Sequence, residues 1–348
     1  MRKTLPLMVL YLMLVFGLIN CGEAVQYQMT LLDTFIDGGY SRALGINGRG
    51  QVVGESALGD GTTHACLWDV DGSIKDLGTL AGGGSTAKCI NDLGQIVGSS
   101  TAPDGISQAF LWQNGTMAGL NGSVANSIND NGQVTGSTNS GAFAWGNGKY
   151  YDLGSGSAFA ISASGNAIVG MGENSVPKTW NYDPGRDVWH SFTLDVPFPG
   201  YGAAYGISQY EVVGFAGMHA AIWDSPTGGN RHDLGTFGGD VSWANAINLC
   251  GQVVGYAYTS DGCSHAFIWQ GGELIALDEL DGSDRSAAYA INEFGEIAGI
   301  VYIDGLARAA LWKPASDPVP EPCSACLMFT GFWGVAFWRR RYSNNTTP

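Results

Sequence analysis

Short apolar runs of four to six residues, separated by Gly, Asn, Asp and Ser, fill the chain from residue 28 to residue 313. Runs that short, bounded by turn residues, predict β-strands and leave no room for a long helix. The unit beginning at Ser85 shows the plan, with strands predicted at 87–91, 95–99, 108–112 and 116–120 and a first turn at Asp92-Leu93-Gly94. The plan recurs seven times. An Ala stands three residues before an Ile, from Ala43 and Ile46 through to Ala288 and Ile291; a Gly closes the next run, from Gly54 to Gly299; and a Trp ends the run after that, from Trp68 to Trp312. Successive isoleucines lie 44, 38, 33, 46, 40 and 44 residues apart, the length of one small supersecondary unit.

The columns carry physical content. An Ala and an Ile three apart on a strand point to opposite faces, and since neither is ever polar both faces are expected to be buried. Ala at all seven places implies crowding, as where inner strands converge on an axis. The residue after the Ile, Asn47, Asn91, Asn129, Asn248 or Asn292, with Ser162 and Ser208 substituting, precedes a turn and is read as a side-chain cap of its backbone. A row of ligating amides is the functional alternative. The Gly lets a neighbouring backbone or a Trp approach closely, and the Trp is a packing wedge.

The seventh unit lacks a fourth strand, because Lys313-Pro314 follows Trp312 at once. Leu31 to Phe35, ahead of the first unit, aligns with Leu77 to Leu80 and with Leu234 to Phe237. That segment is predicted to complete the last sheet, closing a circle and removing open edges. The fold expected is all-β, a seven-bladed β-propeller of four-stranded blades spanning 25–316, with the Ala-bearing strand innermost. A right-handed β-solenoid is the other architecture such repeats allow, but it gives no cause for the missing strand.

The ends read differently. Arg2 and Lys3, an apolar stretch from Leu5 to Ile19 and then Gly22-Glu23-Ala24 lay out a secretory signal peptide over 1–24. Cys21 raises a lipoprotein reading, which Asn20 fits poorly. Residues 317–348 hold Pro320-Glu321-Pro322, an apolar run from Cys323 to Trp338 and then Arg339, Arg340 and Arg341. Sixteen residues is short for a span, but arginines can snorkel and Trp333 and Trp338 suit an interface. This tail resembles the PEP-CTERM sorting tail of Gram-negative bacteria. The resemblance implies export, membrane retention by the C-terminal segment, and processing by an exosortase-type enzyme near Pro320, Glu321 and Pro322. The repeats would face outward, at the cell surface or outside it.

Within the repeats, His265 to Trp269 (HAFIW), its variants from His64 and His219, and Asp233 to Gly239 (DLGTFGG) with its variant from Asp76 resemble the HAF repeat of bacterial extracellular proteins. The likeness covers nearly all of 28–313 and specifies a repeat without specifying an activity. It departs most in the fourth unit, where Pro177-Lys178-Thr179-Trp180 replaces the His-Ala-Phe string and 181–200 form an odd insert.

The formal net charge is −15, and five of the 16 basic residues lie in the two ends. Such a surface repels phosphate backbones, so nucleic-acid binding is excluded as the main role. Cys66, Cys89, Cys250 and Cys263 form no framework, and Cys250 and Cys263 fall in successive turns, at opposite ends of a strand, too far apart for a disulfide. Cys323 and Cys326 form a zinc half-site without a second half.

No catalytic constellation emerges. The recurring His64, His219 and His265 belong to different units and are read as structural hydrogen-bonding groups. Asp278, Asp281 and Asp284 are the candidate calcium cage, with Asp69 and Asp71 a weaker one. Trp189 and Trp243 lie outside the Trp column and are candidates for stacking on sugar; with Asp183, Asp187 and His190 of the variable fourth unit they make up the candidate ligand site. The expected function is non-catalytic: an exported surface or matrix protein presenting a propeller face to glycans or other proteins. An extracellular carbohydrate-active enzyme, a polysaccharide hydrolase or lyase with acids at one end of the axis, is the alternative.

Overall fold

A computed structural model of the chain describes residues 26–315 except 103, 198 and 199; the segments expected to be a signal peptide and a sorting tail, with Pro320, Glu321, Pro322 and Arg339 to Arg341, lie outside the described residues. The described chain forms seven antiparallel four-stranded sheets; in six the strands run in chain order from first to fourth, and in the seventh the N-terminal strand stands at the fourth place. The first strand of each sheet touches the first strand of the next, all the way round, so the sheets are blades of a closed ring with those strands innermost. Blades 1 to 6 occupy residues 41–78, 84–119, 124–152, 157–193, 202–233 and 238–276, and blade 7 is made of 283–314 with 27–31.

The N-terminal strand does complete the last blade. It is Tyr27–Leu31, pairing with Leu306–Pro314 from Tyr27 opposite Pro314 to Leu31 opposite Ala310. The strand therefore lies a few residues upstream of the segment aligned by sequence. Leu32 and Phe35 instead pack into the junction with blade 1, where Phe35 N–H donates to Ser56 Oγ. The segment after a blade's fourth strand is similar in all units because it seals a junction.

One expectation from strand alternation is overturned. In every blade the pairing of the first two strands slips by one residue immediately after the column Ala, as between Ala87 and Cys89 or Ala244 and Ala246. This β-bulge turns Ala and Ile onto the same face: Ala87 lies opposite Gly98 and Ile90 opposite Ile96. That face looks at the preceding blade, where Ala87, Ile90, Ile96, Phe110 and Trp112 pack on Val53, Ala65, Leu67 and Leu77. The bulge leaves Leu44, Lys88, Asn126, Phe159, Tyr205, Asn245 and Tyr289 unpaired, each half-buried on an innermost strand.

The bulge also explains the glycines. A Cβ placed on Gly54 would lie 1.8 Å from the Arg42 carbonyl oxygen, on Gly98 2.0 Å from that of Thr86, and on Gly255 1.8 Å from that of Trp243. Gly136, Gly170, Gly214 and Gly299 meet the equivalent carbonyl at 1.9 to 2.1 Å. It is the neighbouring backbone, redirected by the bulge, that excludes any side chain.

The Asn column caps turns as expected and also joins blades. Asn47 Oδ1 accepts from the N–H groups of Arg49 and Gln51, at 3.1 and 3.0 Å, while its Nδ2 donates to the carbonyl of Asn91 at 3.1 Å. Asn91 reaches Asn129, Asn129 reaches Ser162, Asn248 reaches Asn292, and Asn292 returns to Asn47. Ser162 and Ser208 are too short to continue the chain, so the girdle is interrupted on either side of blade 5. Farther out, Trp68, Trp180, Trp223 and Trp312 wedge between blades and donate their indole N–H to the carbonyls of Asp33, Leu153, Asp195 and Asp278. A buried Trp removes about 150–250 Å² from water, a gross gain of about 4–6 kcal/mol at about 25 cal/mol per Å².

Candidate functional site

Much of the odd insert of the fourth unit is regular structure. Pro177–Asp183 and Val188–Thr193 are the third and fourth strands of blade 4, paired with Tyr182 opposite Trp189 and Asn181 opposite His190. Asp183 Oδ1 accepts from Gly185 N–H at 2.9 Å and fixes the turn, and Asp187 takes a left-handed φ of 56° to close it. Residues opposite each other in an antiparallel pair share a face, so the rings of Tyr182 and Trp189 lie 5.2 Å apart.

Blade 3 adds the second wall. Its last strand, Lys149–Asp152, carries Tyr151, whose ring meets Tyr182 and Trp189 edge-on at 6.1 and 6.4 Å. Asp187 joins the walls: it accepts from Tyr182 Oη at 2.6 Å and Tyr151 Oη at 2.8 Å and is paired with Lys149. The Lys149 ammonium also lies 4.4 Å from the centre of the Tyr151 ring. The hydrogen bonds from Lys149, Tyr182 and Tyr151 hold the Asp187 carboxyl at about 2, and the bond to Asp187 raises the Tyr182 hydroxyl above its ordinary value.

Between the walls lies a cleft of about 390 Å³, open to solvent and lined by Trp145, Tyr151, Tyr182, Trp189, Gln133 and Asn147 among others. The Trp189 indole N–H is buried and has no hydrogen-bond partner among the described residues. Aromatic rings and two side-chain amides suit a ligand with apolar ring faces and polar edges. No carboxylate is among the lining residues.

The five ligand-site candidates divide. Trp189 and Asp187 build the cleft. Asp183 and His190 fall on the other side of the hairpin, 3.8 Å from each other. Trp243 lies elsewhere, on the first strand of blade 6, stacked on Tyr256 at 4.9 Å and 6.0 Å from Phe215. Tyr151, Tyr182, Trp145 and Lys149 were missed; the available signal was Tyr150-Tyr151 in a strand that carries Ile74-Lys75 or Met117-Ala118 in sibling blades.

Asp278, Asp281 and Asp284 do not converge: among the described residues no group of three or more acids, histidines or cysteines is placed to hold a metal ion. Asp278 lends its carbonyl to Trp312, and the intervening Glu279 is held by His265, Ser283 and Ser286. The recurring histidines are structural. His64 Nδ1 meets Asp76 at 3.0 Å, His219 Nδ1 meets Asp233 at 2.9 Å, and His265 Nδ1 meets Glu279 at 2.8 Å, each joining the third and fourth strands of its own blade or the turn beyond. Cys250 and Cys263 flank the strand Val253–Thr259 at its opposite ends.

No family model and no curated protein matches the chain. Solved structures do. A chain of the mitotic checkpoint complex is similar with a TM-score of 0.50 at 13% identity, over 86% of this chain and 98% of that one. Puromycin hydrolase is similar with a TM-score of 0.50 at 11% identity, over 79% of this chain and 52% of that one. A gluconolactonase from Xanthomonas campestris gives 0.45 at 10% identity, over 82% of this chain and 89% of that one. At identities this low the two matches at 0.50 speak to fold alone, and the fold of this chain is the β-propeller. Here it has seven blades and is closed by the N-terminal strand.

Proposed function

We propose that this protein is an exported, non-catalytic propeller that binds polysaccharide through the cleft between blades 3 and 4. The observation that carries this reading is the aromatic box of Tyr151, Tyr182 and Trp189 beside the amides of Gln133 and Asn147. Aromatic faces stack on the C–H faces of a pyranose while the amides take its hydroxyls. Glycoside hydrolysis needs two carboxyl groups about 5–10 Å apart around the scissile bond. The cleft lining offers none, and Asp187 is committed to Lys149 and two tyrosines.

Location follows from the leader and the tail. Ala315 N–H donates to the carbonyl of Gln26 at 2.6 Å, so both ends leave the ring from the same edge of blade 7. A membrane-held tail would thus tether the propeller by its rim. Two experiments test the reading. Trp189→Ala and Tyr182→Ala in the full chain should keep the wild-type circular dichroism spectrum and lose at least tenfold in retention on the producing cell's own extracellular polysaccharide. Undiminished retention, or release of shortened sugar products, would overturn it. For processing, Glu321→Ala should leave the tail uncut, seen as a heavier chain in the membrane fraction.

A further inference from the structure

The strands that ring the axis carry chemistry unrelated to the cleft. Every bulged residue on them is half-buried, which makes a ring of partly accessible side chains at one level of the axis. The wall is divided. From blade 4 to blade 6 it is aromatic: Phe159 meets Tyr205 at 5.2 Å on the innermost strands, and Phe215 and Tyr256, on the second strands of blades 5 and 6, extend the arc, Phe215 lying 6.0 Å from Tyr205 and from Trp243, and Tyr256 stacking on Trp243. Tyr289 of blade 7 continues it beside Ala287, Ile300 and Tyr256.

Blades 1 and 2 hold the charges. Glu55 is 4% exposed and fully engaged. It accepts from Tyr40 Oη at 2.8 Å, from Arg42 Nε at 2.7 Å and from Thr86 Oγ1, and its remaining Arg42 contact is an ion pair at 2.6 Å. These bonds outweigh burial and keep its carboxyl below the usual range. Arg42 is thereby neutralised. Lys88, the bulged residue of blade 2, makes no hydrogen bond or ion pair among the described residues; burial and then Arg42 disfavour its charge, and Glu55, already bonded to Arg42, offsets them only in part. Two cations thus share one carboxylate, and a half-buried ammonium with no anion bonded to it directly is costly unless one joins it.

We propose that the axis is a second binding site, for a carboxylate-bearing sugar residue of the uronate class, with Lys88 receiving the carboxylate and the aromatic arc that ends at Tyr289 receiving the ring. The carboxylate answers an ammonium with no directly bonded anion, and a pyranose with hydroxyls on its edge fits an arc that includes Tyr205, Tyr256 and Tyr289, whose hydroxyls are polar and whose faces are apolar. A simple anion would use the charge and leave the arc idle. The site stands apart from the cleft between blades 3 and 4, so either can fail alone.

Calorimetric titration of the full chain with sodium glucuronate, glucose, acetate and inorganic phosphate tests it. Glucuronate should bind wild type and Trp189→Ala equally, at least tenfold more weakly to Lys88→Met, and with partial recovery in Lys88→Arg. Tyr289→Ala, which leaves Lys88 in place, should weaken glucuronate at least tenfold and serves if Lys88→Met does not fold. Glucose should show no heat above dilution. Acetate or phosphate binding as tightly as glucuronate would reduce the site to a charge, and wild-type affinity in Lys88→Met or Tyr289→Ala would remove it.

Discussion

Each column residue answers to one neighbouring atom, which makes substitutions readable. Gly98→Ala forces a methyl group to 2.0 Å from the Thr86 carbonyl and 3.0 Å from the Phe110 ring. Backbone has little room to give, so a loss of about 1–3 kcal/mol or more is expected, measured by urea unfolding. Asn91→Ala removes bonds to its own turn and to Asn129, leaving buried backbone groups unpaired, at about 1–3 kcal/mol. Burial alone would raise the Glu55 carboxyl, but the bonds from Thr86, Arg42 and Tyr40 lower it below 4.5. A carboxyl depressed on folding stabilises above its unfolded value and loses that contribution as pH falls through the folded one. Melting temperature should therefore drop as pH is taken below about 4.5, and Glu55→Gln should flatten that drop. The columns themselves were legible because repetition exposes what seven equivalent sites share. The bulge was not: it shows in no residue type, since the unpaired position holds Leu, Lys, Asn, Phe and Tyr alike. With it missed, Ala and Ile went to the wrong faces.

At the scale of strands, blade 4 departs from its siblings because its third and fourth strands serve the cleft. The variable stretch was visible in the sequence, and Trp189 and Asp187 with it. The partner wall was not, because Tyr151 belongs to another blade and only the ring brings its strand beside Trp189. Asp183 and His190 were misassigned for a simpler reason: alternation along Val188–Thr193 puts Trp189 and His190 on opposite sides. Since Asp187 is held at about 2, its bonds to Lys149 and the two tyrosines persist through mildly acid solution. Sugar retention should accordingly stay level between about pH 4 and about pH 8. A decline centred near the ordinary carboxyl range would point to a different acid in the site.

For the whole molecule, the missing fourth strand of the seventh unit was the decisive sequence feature, and it forecast closure although the strand was placed several residues late. Its exact position was hidden because the Leu-rich segment resembles the junctions of other units, which follow their fourth strands. Deleting 27–31 should leave Leu306–Pro314 as an open edge, converting a monomer-sized species into larger assemblies on size-exclusion chromatography.

The seam has a mechanical consequence. Tyr27 and Pro314 face each other at one end of an antiparallel pair, so a force drawing the two termini apart would peel the ladder rung by rung instead of shearing it all at once. Blade 7 should therefore give way first, at low load, in a single-molecule pulling experiment, with the other six following. Fastened to a surface by a single terminus, the same propeller would carry drag through its body and leave that zipper unstressed.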